Sequence, residues 1–175
     1  MGHARHGRAE LNQQDTAPTE RDTKYLREAI ALAARARATG RHPFGALVVA
    51  ADDEILGEAM NRAIGPDSDA TGHAELEAVR IASRERTAAS LSGATLYTSC
   101  EPCAMCAGAV YWSGIGRVVY ALAESSLLKL TGAHDENPTF ALPCREVFAR
   151  GQRAIEVVGP ALESEASAPH LGFWA

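Results

Sequence analysis

Residues 97–112 read Y-T-S-C-E-P-C-A-M-C-A-G-A-V-Y-W, and the elements on both sides of this stretch follow from it. The run T-L-Y-T at residues 95–98 is rich in β-branched and aromatic side chains, which predicts a strand that leads directly into the cysteines. A helix is predicted from Cys103 to Ser113, and it is so apolar that we expect it to be buried or to form a subunit contact. The sequence therefore predicts a strand–loop–helix unit whose loop carries the cysteines.

The residue types in this loop indicate a zinc site. Cys103 and Cys106 lie three residues apart, and the run His73-Ala74-Glu75 stands upstream. Two thiolates and one imidazole suit zinc, and three protein ligands leave the fourth position for water. We therefore predict His73, Cys103 and Cys106 as ligands, with Glu75 as an unattached proton carrier. Pro102 fits the first position of the helix, whose N-terminus favours the thiolate forms of both cysteines.

Two other interpretations of the cysteines stay open at this point. Cys100 also has C-x-x-C spacing from Cys103, and a fourth protein ligand would close the site and make it structural. A C-x-x-C pair is also typical of redox sites and structural zinc knuckles. The upstream histidine and acid and the proline before Cys103 favour a catalytic site. Because residues two apart do not share a helix face, His73 and Glu75 can approach one point only near a helix start.

The combination H-A-E plus P-C-x-x-C resembles the zinc site of nucleobase deaminases. The run T-S-C-E-P-C-A-M-C-A-G-A-V-Y-W is similar to the guanine deaminase branch of the cytidine deaminase-like zinc superfamily, and residues 43–46 and Asn61 add to the match. The resemblance covers about residues 24–122. It implies a zinc-dependent hydrolase that releases ammonia from an aminated purine, guanine or guanosine-like. Deamination of a tRNA adenosine, or of cytosine or another small aminated heterocycle, are the alternatives.

The resemblance also implies residues that hold the substrate. Asn61 matches the substrate-binding asparagine of the family, although an asparagine here can also brace its own loop. Phe44 would form a wall under a flat base, with ordinary core packing as the alternative. A backbone N–H next to His73, at Ala74, would hold the base.

Two later segments are implied as well. An acidic residue after the fourth strand would position the substrate or move protons, and Asp135 is the candidate, with Glu136 as the alternative. An aromatic C-terminal tail would cover the base across a dimer, through Phe173 or Trp174. The alternative is a tail that packs on its own subunit.

Size and composition agree with an enzyme of this kind. A chain of 175 residues with 46% hydrophobic residues fits one globular domain. The formal net charge of −5 argues against broad nucleic-acid binding. Without a long apolar run or a secretory signal, and with cysteines at metal-type spacing, we expect a cytoplasmic protein. We expect a small nucleobase or nucleoside as the substrate, no membrane contact, and a homodimer through the apolar run 110–112.

The order of elements predicts the fold class. A helix, two strands and three further helix–strand pairs give an α/β protein, a three-layer α/β/α sandwich with a mixed five-stranded sheet of the cytidine deaminase-like type. The first helix is predicted over residues 24–38 with Asp22 or Thr23 as its cap, and the second over residues 73–86 with Thr71 as its cap.

The chain divides into three predicted parts. Residues 1–20 are polar and predict a disordered arm. Residues 21–160 form the zinc deaminase domain, and residues 161–175 form a tail that can cap the active site.

Overall fold

The computed structural model describes residues 17–65, 67–84, 86–132 and 134–174. Its strands are β1 (Gly45–Val49), β2 (Ile55–Met60), β3 (Thr95–Cys100), β4 (Arg117–Leu122) and β5 (Glu156–Val158). Its helices are α1 (Glu20–Ala38), α2 (Ala74–Ala82), α3 (Ala104–Ser113), α4 (Glu124–Thr131), α5 (Cys144–Ala149) and α6 (Glu163–Ser167).

The five strands form one mixed sheet in the order β2-β1-β3-β4-β5, which confirms the predicted fold class. β1 is antiparallel to both β2 and β3, whereas β3, β4 and β5 are parallel to one another. Cys100 at the end of β3 lies opposite Leu122 at the end of β4. The cysteine loop and the start of α4 therefore leave the sheet at the same edge, where ligands of open α/β sheets usually bind.

Helices cover both faces of the sheet, so the molecule has the three layers expected. On one face α1 packs its buried stripe, which includes Tyr25, Leu26 and Ala29, against Leu47 and Tyr97 of the sheet. On the other face α2, α3 and α5 enclose a second apolar cluster. Its largest members at the α3–α5 end are Val110, Ile115 and Phe148.

The predicted cap of α1 is wrong. Thr19 is the N-cap, and it forms a capping box with Asp22, whose backbone N–H donates to the Thr19 hydroxyl over 3.1 Å. An acid at the third helical position satisfies the N–H of the cap residue, so Asp22 stabilises the first turn from inside the helix. Of the predicted arm, residues 1–16 lie outside the described part of the chain, and α1 begins at Glu20.

Both helices that carry the predicted ligands begin at a ligand. The N-cap of α2 is His73, because Thr71 instead donates its hydroxyl to Asp69 within the preceding loop; the prediction of Thr71 as the cap is wrong. The helix also ends earlier than predicted, at Ala82. The N-cap of α3 is Cys103, so Pro102 lies before the cap and not at the first helical position.

The C-terminal segment contains more helix than the sequence predicts. α6 is followed by a 3-10 turn over Ala168–His170, and the side chain of Trp174 is buried. Among the described residues, no helix combines the length and the apolar character that a membrane crossing requires.

Candidate active site

One cluster of ligand atoms joins the starts of α2 and α3. The Nδ1 or Nε2 of His73 and the sulfurs of Cys103 and Cys106 lie within 4.8 Å of one another. The His73 Nδ1–Cys103 Sγ distance is 3.6 Å. A tetrahedral zinc with Zn–S of about 2.3 Å and Zn–N of about 2.05 Å separates its sulfur and nitrogen ligands by about 3.6 Å. The donor set and its spacing therefore fit zinc.

The backbone at His73 explains how two residues in the pattern H-x-E reach one point. His73 has an extended conformation, with φ −69° and ψ 144°, and so lies outside the helix. Glu75 lies in the first turn of α2, and its Oε2 is 3.7 Å from Cys106 Sγ. The change from extended to helical backbone between the two residues turns both side chains towards the cysteines.

Cys100 is not part of the ligand cluster among the residues that the structure describes. Its side chain is buried, and burial raises the pKa of its thiol well above the ordinary value. Within the described residues, the cluster therefore offers three ligand atoms and leaves a fourth position for water, unlike a closed site with four protein ligands.

The charges in the cluster favour metal binding at Cys103. The hydrogen bond with Cys106, followed by that with His73, lowers the pKa of the Cys103 thiol to about 4 despite its burial. The same contact with Cys103 raises the pKa of His73. Cys103 is thus held as a thiolate at neutral pH, the form in which it binds zinc.

Glu75 is held beside the cluster as a buried carboxyl group that is 5% exposed. The Thr98 hydroxyl donates to its Oε1 over 3.1 Å, and Oε2 faces Cys106. Burial raises the pKa of Glu75. A raised pKa makes the carboxylate a better proton acceptor, which is what general base catalysis requires.

His73 and Cys103 of the cluster, together with Glu75, line a cavity of about 580 Å³, a size typical of small-molecule sites. Its walls come from the loop after β2, the starts of α2, α3 and α4, and the segment 136–140. None of the lining residues among those described is lysine or arginine. The acids in the lining are Glu75, Glu101, Glu124 and Glu136.

Residues 19–122 match the family described as the cytidine and deoxycytidylate deaminase zinc-binding region. The chain belongs to this family. It is a zinc-dependent deaminase, a hydrolase of C–N bonds, as the sequence predicted.

Three relatives show the range of activities near this deaminase. A probable cytosine deaminase of Schizosaccharomyces pombe is 45% identical over 159 residues, covering 91% of this chain and 96% of the relative. A tRNA-specific adenosine deaminase of Haemophilus influenzae is 41% identical and covers 61% of each chain. The solved structure of a guanine deaminase from Nitrosomonas europaea has a TM-score of 0.67 and 26% identity, covering 91% of this chain and 87% of that one.

Two of the residues predicted to hold the substrate line the cavity of the deaminase, namely Asn61 and Phe44. Asn61 is 2% exposed, and its Oδ1 accepts a hydrogen bond from Ala63 N over 2.8 Å. This bond braces the loop, as the alternative interpretation expected, and it leaves the amide NH₂ for another partner. Ala74 is buried behind His73 and is not among the lining residues.

The acidic segment lines the cavity through Glu136, whereas Asp135 is not among the lining residues. Glu136 Oε2 lies 3.3 Å from Nε2 of His42, which also lines the cavity. The alternative named for Asp135 is therefore the better placed of the two acids.

The tail packs behind the cavity wall of its own chain. Trp174 lies 5.0 Å from His42 and 6.2 Å from Phe44, measured between ring centroids, and it is not among the lining residues. Its Nε1 donates to Nδ1 of His170 over 3.2 Å. Stacking of Trp174 or Phe173 on the substrate remains a prediction.

Three residues near the site were not found by sequence reasoning: His42, Glu101 and Glu124. Glu101 accepts hydrogen bonds from the backbone N–H of Glu124 and Cys144, over 3.2 and 3.0 Å, so it joins the starts of α4 and α5 to the cysteine loop. Burial, and then the charges of Cys103 and Glu101, raise the pKa of Glu124 to about 7. Its position just after β4, at the carboxyl end of a parallel strand, was the available signal for Glu124.

Proposed function

We propose that this deaminase removes the amino group of a neutral aminated nucleobase or nucleoside, with guanine as the first candidate. The observation that carries the proposal is the placement of Glu75 beside the three-ligand cluster, in a cavity whose described lining contains neither lysine nor arginine. In the reaction water replaces the amino group, so a C–O bond forms, the C–N bond breaks and ammonia leaves.

The geometry of the site suggests a separate role in the reaction for the zinc ligands, Glu75 and Thr98. Zinc held by His73, Cys103 and Cys106 would supply Lewis-acid chemistry and acidify water. Glu75 takes a proton from water, transfers it to a ring nitrogen and assists the departure of ammonia. The Thr98 hydroxyl keeps the Glu75 carboxyl group in place between these transfers.

The substrate is held by two side chains of the cavity lining, Asn61 and Glu136. The Asn61 NH₂ donates to an acceptor on the base, because its Oδ1 is already bonded to the backbone. The Glu136 carboxylate accepts from an N–H on another edge of the base. The backbone N–H of Ala74 and the carboxylate of Asp135 would reach the base only from outside the lining, because neither residue lines the cavity.

The charge of the cavity argues against phosphate-bearing substrates. Binding of a phosphate or of an RNA backbone relies mainly on lysine and arginine, and the described cavity lining contains four carboxylates and neither of these residues. The helix starts in the lining are at the predicted zinc ligands and at the acids Glu75 and Glu124. The net charge of −5 acts in the same direction. A free base or a nucleoside is therefore favoured over a nucleotide or a tRNA.

Cytosine is the second candidate. The S. pombe relative, named a probable cytosine deaminase, is similar along nearly the whole of both chains. Guanine deaminases are represented by the solved structure from Nitrosomonas europaea, at lower identity. Both bases present an amino group on an amidine carbon and N–H donors at the ring edge, so the same catalytic group serves either.

Ammonia release from separate solutions of guanine, guanosine, cytosine, adenosine and a tRNA tests the proposal. We expect turnover of a free base or a nucleoside, with kcat/KM for guanine the highest, and none of the tRNA. A higher kcat/KM for cytosine would replace guanine as the substrate. The proposal would be rejected if the zinc-loaded protein released ammonia from the tRNA only, or from none of these substrates.

We also propose a homodimer that forms through the exposed face of α3. Of the run 110–112 predicted for this contact, Val110 is fully buried in its own chain and cannot take part. Met105 and Trp112 lie seven residues apart on this face and are 38% and 82% exposed. Aromatic residues and methionine are enriched in protein interfaces. Trp112→Lys should shift the protein from dimer to monomer in sedimentation velocity, whereas Ile55→Lys, at another exposed apolar position, should not. A dimer that survives Trp112→Lys would contradict this interface.

A reducing compartment such as the cytoplasm suits the thiol chemistry. All four cysteines are free thiols, and two of them are zinc ligands in the proposed site. Oxidation of these ligands would abolish metal binding, because only the thiolate coordinates zinc.

A further inference from the structure

One cavity wall contains a buried imidazole that touches the acid of the segment after α4. His42 is 3% exposed, and its Nε2 lies 3.3 Å from Oε2 of Glu136. Both residues line the cavity that contains the zinc ligands. They come from distant parts of the sequence, since His42 precedes β1 and Glu136 follows α4.

The hydrogen bond between His42 and Glu136 has a defined donor and a defined acceptor. An ionised carboxylate only accepts hydrogen bonds, so the His42 nitrogen that faces Glu136 must carry the proton. Burial lowers the pKa of His42, although Glu136 opposes this effect, and the ring therefore donates as a neutral imidazole at pH 7. A neutral donor holds the carboxylate without cancelling its charge, so Glu136 stays an acceptor for the substrate.

The imidazole is fixed by the rings around it. Phe173 and Phe44 meet it edge to face at centroid distances of 6.0 and 6.5 Å, and Trp174 lies at 5.0 Å. A ring enclosed on several sides has few alternative rotamers. The C-terminal tail thus fixes the orientation of His42 from behind, although its own tryptophan does not line the cavity.

Glu136, by contrast, needs an anchor. Its side chain is 56% exposed and belongs to a segment without helix or strand. A long exposed carboxylate loses rotamer freedom when it binds a substrate, which weakens binding. We propose that His42 is a positioning residue that holds the Glu136 carboxylate towards the cavity and so sets the affinity for the substrate.

This proposal rests on the proposed function, in which Glu136 accepts a hydrogen bond from the base. Loss of the His42 donor frees Glu136 and should raise KM about tenfold, as expected for one hydrogen bond to a charged group. The value of kcat should change little, because Glu75 and the zinc ligands are untouched. A purely structural role of His42 would instead lower the thermal midpoint and affect both constants together.

The experiment compares two replacements of similar length in the zinc-loaded protein. His42→Gln keeps a side-chain N–H donor, whereas His42→Met fills the space without one. Both are measured alone and combined with Glu136→Gln, with KM, kcat and the thermal midpoint as readouts. His170→Met is the control, since it removes another buried imidazole of the same aromatic cluster that does not contact Glu136.

We expect His42→Met to raise KM about tenfold, His42→Gln to recover most of this loss, and Glu136→Gln to mask the effect of His42→Met in the double variant. The His170→Met effect should multiply with that of Glu136→Gln. Equal losses in His42→Gln and His42→Met, or multiplying effects of His42→Met and Glu136→Gln, would overturn the proposal. If His42→Met does not fold, an unchanged KM in Glu136→Gln and Glu136→Ala would overturn it as well.

Failure of the His42 proposal and failure of the proposed function give different results. If the wild-type protein releases no ammonia from any base or nucleoside, the proposed function fails. The hydrogen bond from His42 to Glu136 is then tested by amide hydrogen exchange of residues 134–142, which should be faster in His42→Met than in His42→Gln. Equal exchange in the two variants would overturn the anchor independently of catalysis.

Discussion

Glu75 combines properties that proton transfer needs in a single side chain. It is buried and its pKa is raised by that burial, while its Oε1 accepts from the Thr98 hydroxyl and its Oε2 faces Cys106 of the ligand cluster. Because Glu75 is outside the group of three ligand atoms, its chemistry can be removed while zinc binding is retained.

Glu75→Gln should therefore lower kcat by about 10²- to 10⁴-fold, the range of general acid–base catalysis. The amide has the same shape and can keep the Thr98 contact, so fold and zinc content should match the wild type. Ammonia release and zinc per chain are the measurements. Cys106→Ser is the matched control, and it should lose zinc. Normal turnover by Glu75→Gln would exclude Glu75 as the proton carrier.

The Asn61 amide has two roles that substitutions can separate: its oxygen braces the loop, and its NH₂ is proposed to bind the base. Asn61→Asp keeps the acceptor for Ala63 N but removes the NH₂ donor, whereas Asn61→Ala removes both. If the donor binds the base, both variants should lower kcat/KM by about 10- to 100-fold. If the residue only braces the loop, Asn61→Asp should behave like the wild type. Steady-state kinetics with the preferred base decides between the two.

The zinc site was predictable from the sequence because its residue types have few other uses together. Cys103, Cys106 and the H-x-E run fix donor chemistry, which does not depend on long-range contacts. The contact of His42 with Glu136 was not predictable, because it joins side chains 94 residues apart and arises only when the segment before β1 meets the segment after α4. Single polar residues outside a motif have no such signature.

At the scale of elements, the approach of α1 to the sheet depends on Gly45 at the start of β1. A Cβ at this position would meet the Leu32 side chain, the Ala29 carbonyl oxygen at 2.5 Å and the Ala33 nitrogen at 2.6 Å. Two of these are helix backbone atoms, which cannot move away without shifting α1. β1 is central, with β2 and β3 on its two sides, so it cannot yield either.

Gly45→Ala should therefore destabilise the fold by about 3 kcal/mol, at the upper end of the usual cost of overpacking. Gly93→Ala is the control, because a Cβ at Gly93 meets nothing within 4 Å. Thermal or urea unfolding of both variants measures the difference. Equal midpoints for the two alanine variants would show that α1 can be displaced from the sheet at little cost.

Element types were easier to predict than element ends. Runs of apolar, β-branched and aromatic residues predicted the strands, and apolar residues at helical spacing predicted the long helices; the observed elements confirm both. Two helix starts were misplaced because neighbouring side chains bonded in a way that the sequence analysis did not anticipate, Thr71 with Asp69 and Asp22 with Thr19. The short α6 escaped prediction because its polar, alanine- and serine-rich sequence is stabilised by packing, with Ala166 buried against the sheet.

At the scale of the whole molecule, the zinc-ligand cluster and the ion pair that holds α1 lie at opposite ends of the parallel strands. The cysteines of the cluster follow the last residue of β3. Arg117 is the first residue of β4, at the other end of these parallel strands, and it pairs with Asp22 of α1. The pair is bidentate, with N–O distances of 2.6 and 3.0 Å, and Tyr97 donates a further bond to Asp22 over 3.1 Å. Asp22 is 1% exposed, so this network ties α1 to the sheet far from the zinc ligands.

The network makes the stability of the fold depend on pH. Despite the opposing effect of burial, the hydrogen bonds from Arg117 and Thr19 hold the pKa of Asp22 well below its ordinary value of 3.8. A carboxylate whose pKa is lower in the folded state contributes its full stabilisation above the unfolded pKa and loses it as the pH falls towards the folded pKa. The contribution of Asp22 should therefore be constant from pH 7 to about pH 5 and shrink below about pH 4.

Asp22→Asn should cost about 2 kcal/mol at pH 7. This lies below the roughly 3–5 kcal/mol typical of a broken buried pair, because Arg117 is partly exposed and keeps Glu156 as a partner. Urea unfolding at pH 7, 5, 4 and 3 should show the gap between variant and wild type closing in the acid range. Glu165→Gln, which removes the exposed partner of Arg27, should leave the midpoint nearly unchanged at every pH. A gap for Asp22→Asn that stays constant down to pH 3 would mean that its cost comes from lost packing or capping and not from the charge of Asp22.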